Sequence, residues 1–379
     1  MAPAIRPPET AQALPREAYL SQEHFQKELE RIFYSTWQYA GHVSEFPTTG
    51  SCKRFAVGDV DLLLVRAGDG AINALHNVCR HRGAQLVSDG TGNCKRALTC
   101  HYHGWAYNHD GSLRGAPKMG EDFDKTQFGL KRAHTEIWNG CVFVHLGDQP
   151  PTPVRESLAE VVWPYADLDR AKVADVATHE VETNWKICWE NALECYHCAI
   201  NHPELVRVFD QDGDADGADG GDDYVYFVNP LLGDSLSVTL SGNLESKVLF
   251  ECTTPLDEAR GFFQWHTSTF EMVASPDCVA VMTYTPLAPN RTRITQTFLV
   301  PEKAEGGTDY DPGTLFELHK RAREQDNQLC TSVRKGVTNP AYVPGPFNDI
   351  YEVENLRFLD VYWKLMGDTS SSDYNSHRG

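Results

Sequence analysis

The chain has 379 residues, 41% hydrophobic and 23% charged, with a formal net charge of −19. Such a composition is globular and long enough for two domains. The acidic balance excludes nucleic acid and anionic membrane as partners.

No apolar run approaches the roughly 18 residues that a membrane span needs. The opening stretch MAPAIRPPETAQALPREAYL lacks an apolar signal core, so a cytoplasmic protein is expected. Eleven cysteines, odd in number and irregularly spaced, do not suggest a disulfide framework. Reduced thiols, some of them engaged on metal, are the expectation. Residues 1–17 are Pro-rich, and Ser21–Trp37 reads as an amphipathic helix. Ser21 can cap it, and Phe25, Leu29, Ile32 and Phe33 recur at helical spacing. These 37 residues form an N-terminal extension. From 38 to 149 the period changes to short alternating runs such as Asp61–Val65 and Cys141–Leu146, broken by Gly, Asp and Asn turns, which is an all-β pattern. The Pro-rich joint Gln149–Pro153 marks a boundary, with a second domain over 150–379.

Inside the β region, Cys79 and His81 in CRHRG and Cys100 and His103 in CHYHG each offer one thiolate and one imidazole from a tight Gly-containing loop. Two Cys on one iron and two His on the other is the ligand set of a Rieske [2Fe–2S] centre. Zinc could use the same donors, but Cys/His zinc fingers pair like with like, which disfavours it. Asn184–Leu205, NWKICWENALECYHCAINHPEL, carries His197 and His202, with Glu194 three residues before the first. On a helix, Glu194 and His197 would share a face. Two imidazoles plus a carboxylate from elsewhere can hold ferrous iron with open positions. A pair of hydrogen-bonded core histidines is the bland alternative. Asp210–Asp223 is Asp/Gly-rich; its start resembles a calcium loop, but a mobile lid near the site is the favoured reading. Strands are expected over Val225–Val228, Leu236–Leu240, Lys247–Glu251, Phe262–Thr267, Val279–Tyr284 and Thr292–Phe298. Helices are expected over Asp311–Val333 and Asn355–Met366.

CRHRGAQL with CHYHGWAYNHDGSL, followed by the NWKxxxEN…ExYH…H stretch, resembles the large (α) subunits of Rieske non-haem iron oxygenases. The resemblance implies an α+β chain: an all-β Rieske domain, then a catalytic domain with a large antiparallel sheet covered by helices (helix-grip, START-like). It implies a [2Fe–2S] cluster on Cys79, His81, Cys100 and His103, and a mononuclear Fe(II) on His197 and His202. The third iron ligand would be Asp326 in EQDNQLCTSVRKG, with Glu324 as fallback; Gln325 departs from the acidic residue common there. Glu194 would bridge the iron site to a cluster histidine of the neighbouring subunit in a homotrimer or dimer of trimers. Electrons would come from NAD(P)H through a separate reductase or ferredoxin, since no G-x-G-x-x-G fingerprint is visible here. Glu rather than Asp at 194 is similar to members that oxidise quaternary ammonium compounds of the choline, carnitine and glycine betaine types. The expected activity is O₂-dependent hydroxylation or N-demethylation of a small aminated substrate, monooxygenation ahead of dioxygenation. Tyr226, Phe263, Trp265 and Tyr284 are the aromatic candidates for a cation-binding pocket. An aromatic-ring dioxygenase α subunit is the alternative enzyme. A Rieske electron carrier without catalysis is the alternative of another class.

Overall fold

A computed structural model describes residues 12–367 except 89–90, 95, 150–151, 211–220, 222 and 229. The Asp/Gly loop therefore lies almost wholly outside the described residues. The chain divides into two compact units, 34–157 and a second made of 1–33 with 158–379. The division read along the sequence, 1–37, 38–149 and 150–379, set the N-terminal segment apart. By contacts that segment belongs with the C-terminal unit.

The unit 34–157 is all-β. Its strands are β1 (Gln38–His42), β2 (Ser51–Val57), β3 (Val60–Arg66), β4 (Ile72–His76), β5 (Thr91–Asn93), β6 (Leu98–Thr99), β7 (Ala106–Tyr107), β8 (Leu113–Gly115), β9 (Arg132–Trp138) and β10 (Cys141–His145). They form a seven-stranded sheet, β1-β10-β9-β4-β3-β2-β5, and a small sheet, β6-β7-β8. Leu63, Leu75, Cys79, Cys100, Trp105 and Tyr107 share one buried cluster between the sheets. The loops after β4 and β6 are thereby seated on a packed base.

In the other unit, helices α1 (Arg16–Leu20) and α2 (Gln22–Glu28) open the chain, and α2 continues into a π turn over Leu29–Phe33. Ser21 caps α2, accepting from the His24 N–H at 3.2 Å. Phe25, Leu29, Ile32 and Phe33 are all buried, each contributing about 1.5–3 kcal/mol. The helical segment stops at Phe33, four residues short of the expected end. After α3 (Val154–Ser157, in the β unit) come β11 (Lys172–Val181), α4 (Trp185–Ala192) and α5 (Cys198–Asn201). Strands β12 (Tyr224–Phe227), β13 (Gly261–Trp265), β14 (Phe270–Ser275), β15 (Cys278–Ala288) and β16 (Arg291–Val300) follow, then α6 (Pro312–Leu315), α7 (Glu317–Thr338) and α8 (Val353–Met366). The sheet is antiparallel and six-stranded, β11-β16-β15-β14-β13-β12, with α4 against β15 and β16 and α7 against α4 and β11.

Two expected strands, Leu236–Leu240 and Lys247–Glu251, are irregular instead. Their polar groups are drawn off the ladder by the loop after β14. Buried Asp277 accepts from Ser237 Oγ and the Glu245 N–H, both at 2.8 Å, and Pro276 O accepts from the Phe250 N–H at 2.8 Å. Among the described residues no helix is long and apolar enough to cross a membrane.

Candidate active site

Two loops of the β unit have the same backbone plan. The Cys79 N–H donates to Ala84 O (2.8 Å) and the Gly83 N–H to Cys79 O (2.9 Å). In the second loop the Cys100 N–H donates to Trp105 O (2.7 Å) and the Gly104 N–H to Cys100 O (3.0 Å). Gly83 and Gly104 take φ of +74° and +73°, a conformation that favours glycine. Cys79 and Cys100 are each 2% exposed, whereas His81 and His103 are exposed. Those imidazoles lie 4.5 Å apart between ring centroids, and His81 stacks on Trp105. Two buried thiols and two exposed imidazoles, brought together by matching loops, fit the donor set that would hold a [2Fe–2S] cluster with two cysteines and two histidines. Tyr107 was not singled out in the sequence. Its hydroxyl lies 3.3 Å from Cys79 Sγ and accepts the Arg80 N–H at 2.9 Å, a contact that can tune such a cluster. Cys94 is a bystander to these loops and lies beside Cys52, sulfur to sulfur 3.2 Å.

The second constellation begins at the NWK triplet. Asn184 caps α4, accepting from the Lys186 N–H at 3.0 Å. Its Nδ2 donates to Tyr19 O (3.0 Å) and Pro289 O (2.9 Å). Trp185 Nε1 and Lys186 Nζ donate to Glu28 Oε2 and Oε1, at 2.9 and 2.5 Å. The triplet therefore ties α4 to the N-terminal helix. Glu190, further along α4, accepts from Tyr19 Oη at 3.0 Å; burial pushes its carboxyl up to about 8.

The helix ends at Ala192, so Glu194 and His197 do not share a helical face; they sit in the turn between α4 and α5. The turn itself brings them together. Glu194 Oε2 accepts from the Tyr196 and His197 N–H groups, while Oε1 meets His197 Nδ1 at 2.5 Å. The same turn brings Cys195 and Cys198 to a Cα separation of 4.9 Å, and they form a disulfide. Reduced thiols were expected, so this local bridge is a correction; the other nine cysteines form no disulfide.

His197 Nε2, His202 Nε2 and Asp326 Oδ1 converge: 3.1 Å between the nitrogens, and 3.2 and 2.9 Å from each to the carboxylate oxygen. Asp326 comes from the buried face of α7, together with Arg323 one turn earlier. Arg323 Nη2 donates to Asp326 Oδ2 at 2.9 Å, leaving Oδ1 toward the imidazoles. His202 Nδ1 donates to Gln325 Oε1 at 2.7 Å, and Gln325 Nε2 donates to Glu204 Oε2 at 3.1 Å. Both Nδ1 atoms are thus engaged by acceptors, so both Nε2 lone pairs point at one spot. Burial would push the His197 imidazolium down, but the carboxylates of Asp326 and Glu194 outweigh it and hold its pKa up at about 9. Burial would raise Asp326, yet Arg323 and both imidazoles hold it well below the usual carboxylate range. Three donors with one anionic charge and two oriented imidazoles fit a divalent iron. Glu324, the fallback, lines a separate cleft with His179 and Lys320.

A cavity of about 270 Å³ opens beside Asp326, lined among others by Leu193, Glu194, Phe209, Phe227, Phe262 and Arg323. The four aromatic candidates do not line it. Tyr226 pairs with Phe263 across β12 and β13, and both lie on the face packed against Trp163. Strand alternation places Phe227, Phe262 and Gln264 on the cavity side instead. Trp265 is buried and donates to Asp223 Oδ2 at 3.0 Å; Tyr284 donates to buried Glu271 at 2.8 Å. A second cavity of about 260 Å³, lined by Glu190, Asn191, Glu194, His197, Glu352 and Asn355, meets the first at Glu194.

Residues 36–133 match the Rieske [2Fe-2S] domain, and 168–368 match the ring hydroxylating alpha subunit (catalytic domain). The glycine betaine monooxygenase oxygenase subunit of Pseudomonas aeruginosa (strain UCBPP-PA14) is 32% identical, over 93% of this chain and 89% of its own. The carnitine monooxygenase oxygenase subunit of Acinetobacter pittii (strain PHEA-2) is 29% identical, over 88% of each chain. Among solved structures, the quaternary ammonium Rieske monooxygenase CntA shares the fold at a TM-score of 0.79 and 22% identity, covering 94% of this chain and 96% of that one. Naphthalene 1,2-dioxygenase from Rhodococcus sp. shares it at 0.70 and 18%, covering 95% of each. The chain belongs to the ring-hydroxylating α-subunit family of Rieske non-haem iron oxygenases, enzymes that carry a [2Fe–2S] cluster and a mononuclear iron.

Proposed function

We propose that this chain is the oxygenase subunit of a monooxygenase that oxidises a small quaternary ammonium substrate with O₂, by hydroxylation or N-demethylation. Electrons would come from NAD(P)H through a separate reductase or ferredoxin. The convergence of His197, His202 and Asp326 beside an apolar cavity carries the reading. Cys79, His81, Cys100 and His103 would hold the cluster, and His197, His202 and Asp326 the single iron. When bound, that iron supplies an open coordination position at which O₂ is reduced next to substrate.

The chain's own residues prepare that position. Glu194 and Gln325 fix the tautomer of each imidazole by accepting from Nδ1. Arg323 engages one oxygen of Asp326, so that the other serves as ligand. Phe209, Phe227 and Phe262 exclude water and offer aromatic faces to a cation. Glu194, with its side chain 11% exposed, is the residue that can be reached from outside while still holding His197. We assign it the bridge to the cluster histidine of a neighbouring subunit in a cytoplasmic homotrimer or dimer of trimers. Exposed apolar side chains support self-association: Tyr196, Ile200 and Ile350 near the iron site are 56%, 85% and 74% exposed, and Val78 and Tyr102 on the cluster loops 47% and 54%. Substrate-stimulated O₂ and NADH consumption with a surrogate reductase, over trimethylammonium and aromatic panels, tests the reading. Stimulation by aromatic hydrocarbons alone would replace it with the dioxygenase alternative.

A further inference from the structure

The disulfide between Cys195 and Cys198 closes a small ring through Tyr196 and His197. A bridge across so short a loop removes little entropy from the unfolded chain, so it contributes little to stability. In a reducing compartment such bridges are usually transient and redox-sensing. The backbone keeps the pair close independently of the sulfur bond, because the Cys198 N–H donates to Cys195 O at 3.0 Å. The two residues differ in access: Cys195 is half-buried and lines the 270 Å³ cavity, whereas Cys198 is 3% exposed. Cys198 also lies among the metal donors. The His202 N–H donates to Cys198 O at 2.9 Å, so these two residues are one helical turn apart. One ligand atom each of His197, Cys198 and His202 lies within 4.8 Å of the other two. A sulfur tied up in a disulfide is not the metal-binding form; the thiolate is.

We propose that Cys195 and Cys198 are a reversible redox pair that decides which metal this site takes. As a disulfide they leave the open set of His197, His202 and Asp326, which suits ferrous iron. As a dithiol they release Cys198 as a fourth donor, and two imidazoles, a carboxylate and a thiolate make a closed set that prefers zinc. The inference rests on the proposed function, which makes those three side chains the iron ligands. A small dithiol reduces the bridge by attack on Cys195 Sγ, the sulfur on the cavity side. A bond forms from the reductant to Cys195 and the bond to Cys198 breaks, its electron pair leaving on Cys198 Sγ. The second thiol of the reductant then closes the reductant's own disulfide and releases Cys195 as a thiol. Hydrogen peroxide reverses the change, taking two electrons and two protons from the pair to give the disulfide and two waters.

The test uses the full chain with its cluster intact, kept anaerobic. Wild type is compared before and after a water-soluble phosphine, which takes up the oxygen of one water as it reduces the bridge and is removed before metal is added. Mass mapping of alkylated cysteines reports the state of the pair. Equal ferrous iron and zinc are offered to each sample, and both metals are counted per chain, with His197→Ala giving the count that belongs elsewhere. Reduction should raise the ratio of zinc to iron in the site at least about tenfold. Cys195→Ser, which leaves Cys198 a free thiol, should match reduced wild type without treatment. Cys198→Ser should match the oxidised form and ignore the phosphine. Cobalt in place of zinc should give a sulfur-to-metal charge-transfer band in reduced wild type and in Cys195→Ser, absent from Cys198→Ser. A purely structural bridge would make the two serine variants behave alike, which overturns the proposal. A metal ratio unchanged by reduction overturns it too, as do wild-type thiols that hydrogen peroxide cannot join. Failure of the iron reading shows separately, as oxidised wild type holding no more metal than His197→Ala.

Discussion

The two imidazoles of the iron site are oriented by different acceptors: His197 by the carboxylate of Glu194, His202 by the amide of Gln325. That difference separates their expected mutants. Glu194→Ala should retain both metals yet lose most turnover, and full activity in that variant would remove the bridging role. Gln325→Leu leaves His202 Nδ1 without its acceptor, and iron should bind about 10–100-fold more weakly in a chelator competition. In the other unit, Tyr107→Phe removes the hydroxyl beside Cys79 Sγ. A hydrogen bond worth about 1 kcal/mol corresponds to roughly 45 mV for one electron, so a redox titration should find the cluster potential lowered by that order. Glu194, His197 and His202 were legible as residue types at telling spacings, and Asp326 only through the resemblance of its helix to that of the family. Gln325 was visible only as a departure from a pattern, and Arg323 only as one charge on a solvated-looking helix face. Nothing marked Tyr107.

At the scale of elements, the N-terminal helix is the unexpected participant. Glu28 is fully buried and accepts from Lys186, Trp185 and Tyr362, which joins α2, α4 and α8 around one carboxylate. Lys186→Met would leave that carboxylate buried without its cation and should cost about 3–5 kcal/mol in denaturant unfolding; pairing it with Glu28→Gln should recover much of the loss. His24 belongs to the same cluster, with Nε2 2.5 Å from Tyr362 Oη. Burial lowers its pKa to about 4 from an ordinary 6.5. Between those values the unfolded chain binds the extra proton, so the stability His24 contributes is intact above pH 6.5 and is lost as pH falls toward 4. Unfolding midpoints at pH 7 and 5 should converge in His24→Gln relative to wild type. The strands show the opposite lesson. Runs such as Thr292–Phe298 identify strands by composition, but composition does not say which face is wet; Phe263 and Trp265 were expected in the cavity, and Phe262 and Gln264 line it.

For the whole molecule, an oxygenase and an electron carrier differ in metal count: about three irons per chain against two. His197→Ala should drop one iron and keep the visible spectrum of the cluster; two irons in wild type would leave only the carrier. If Glu194 connects neighbouring subunits, a cluster-deficient Cys100→Ser chain and an iron-deficient His197→Ala chain, each inactive alone, should regain turnover when co-expressed as mixed oligomers. No recovery in verified mixed oligomers would confine electron transfer to one chain. Light scattering should then report three or six copies of the 42.4 kDa chain.

By itself the sequence determined which atoms are available to metals and the order in which they occur. Ligand chemistry is local: thiolates and imidazoles two or three residues apart on glycine turns are already a site in outline. Helix α2 was legible for a similar reason, since its cap and apolar stripe lie within a few turns. Only the tertiary structure decided what meets across distance. It brought Asp326 to His202 over a separation no periodicity encodes, and it chose the face of β13 that lines the cavity. Those outcomes depend on which surfaces are buried together, and burial is a property of the packed chain rather than of any one stretch of it.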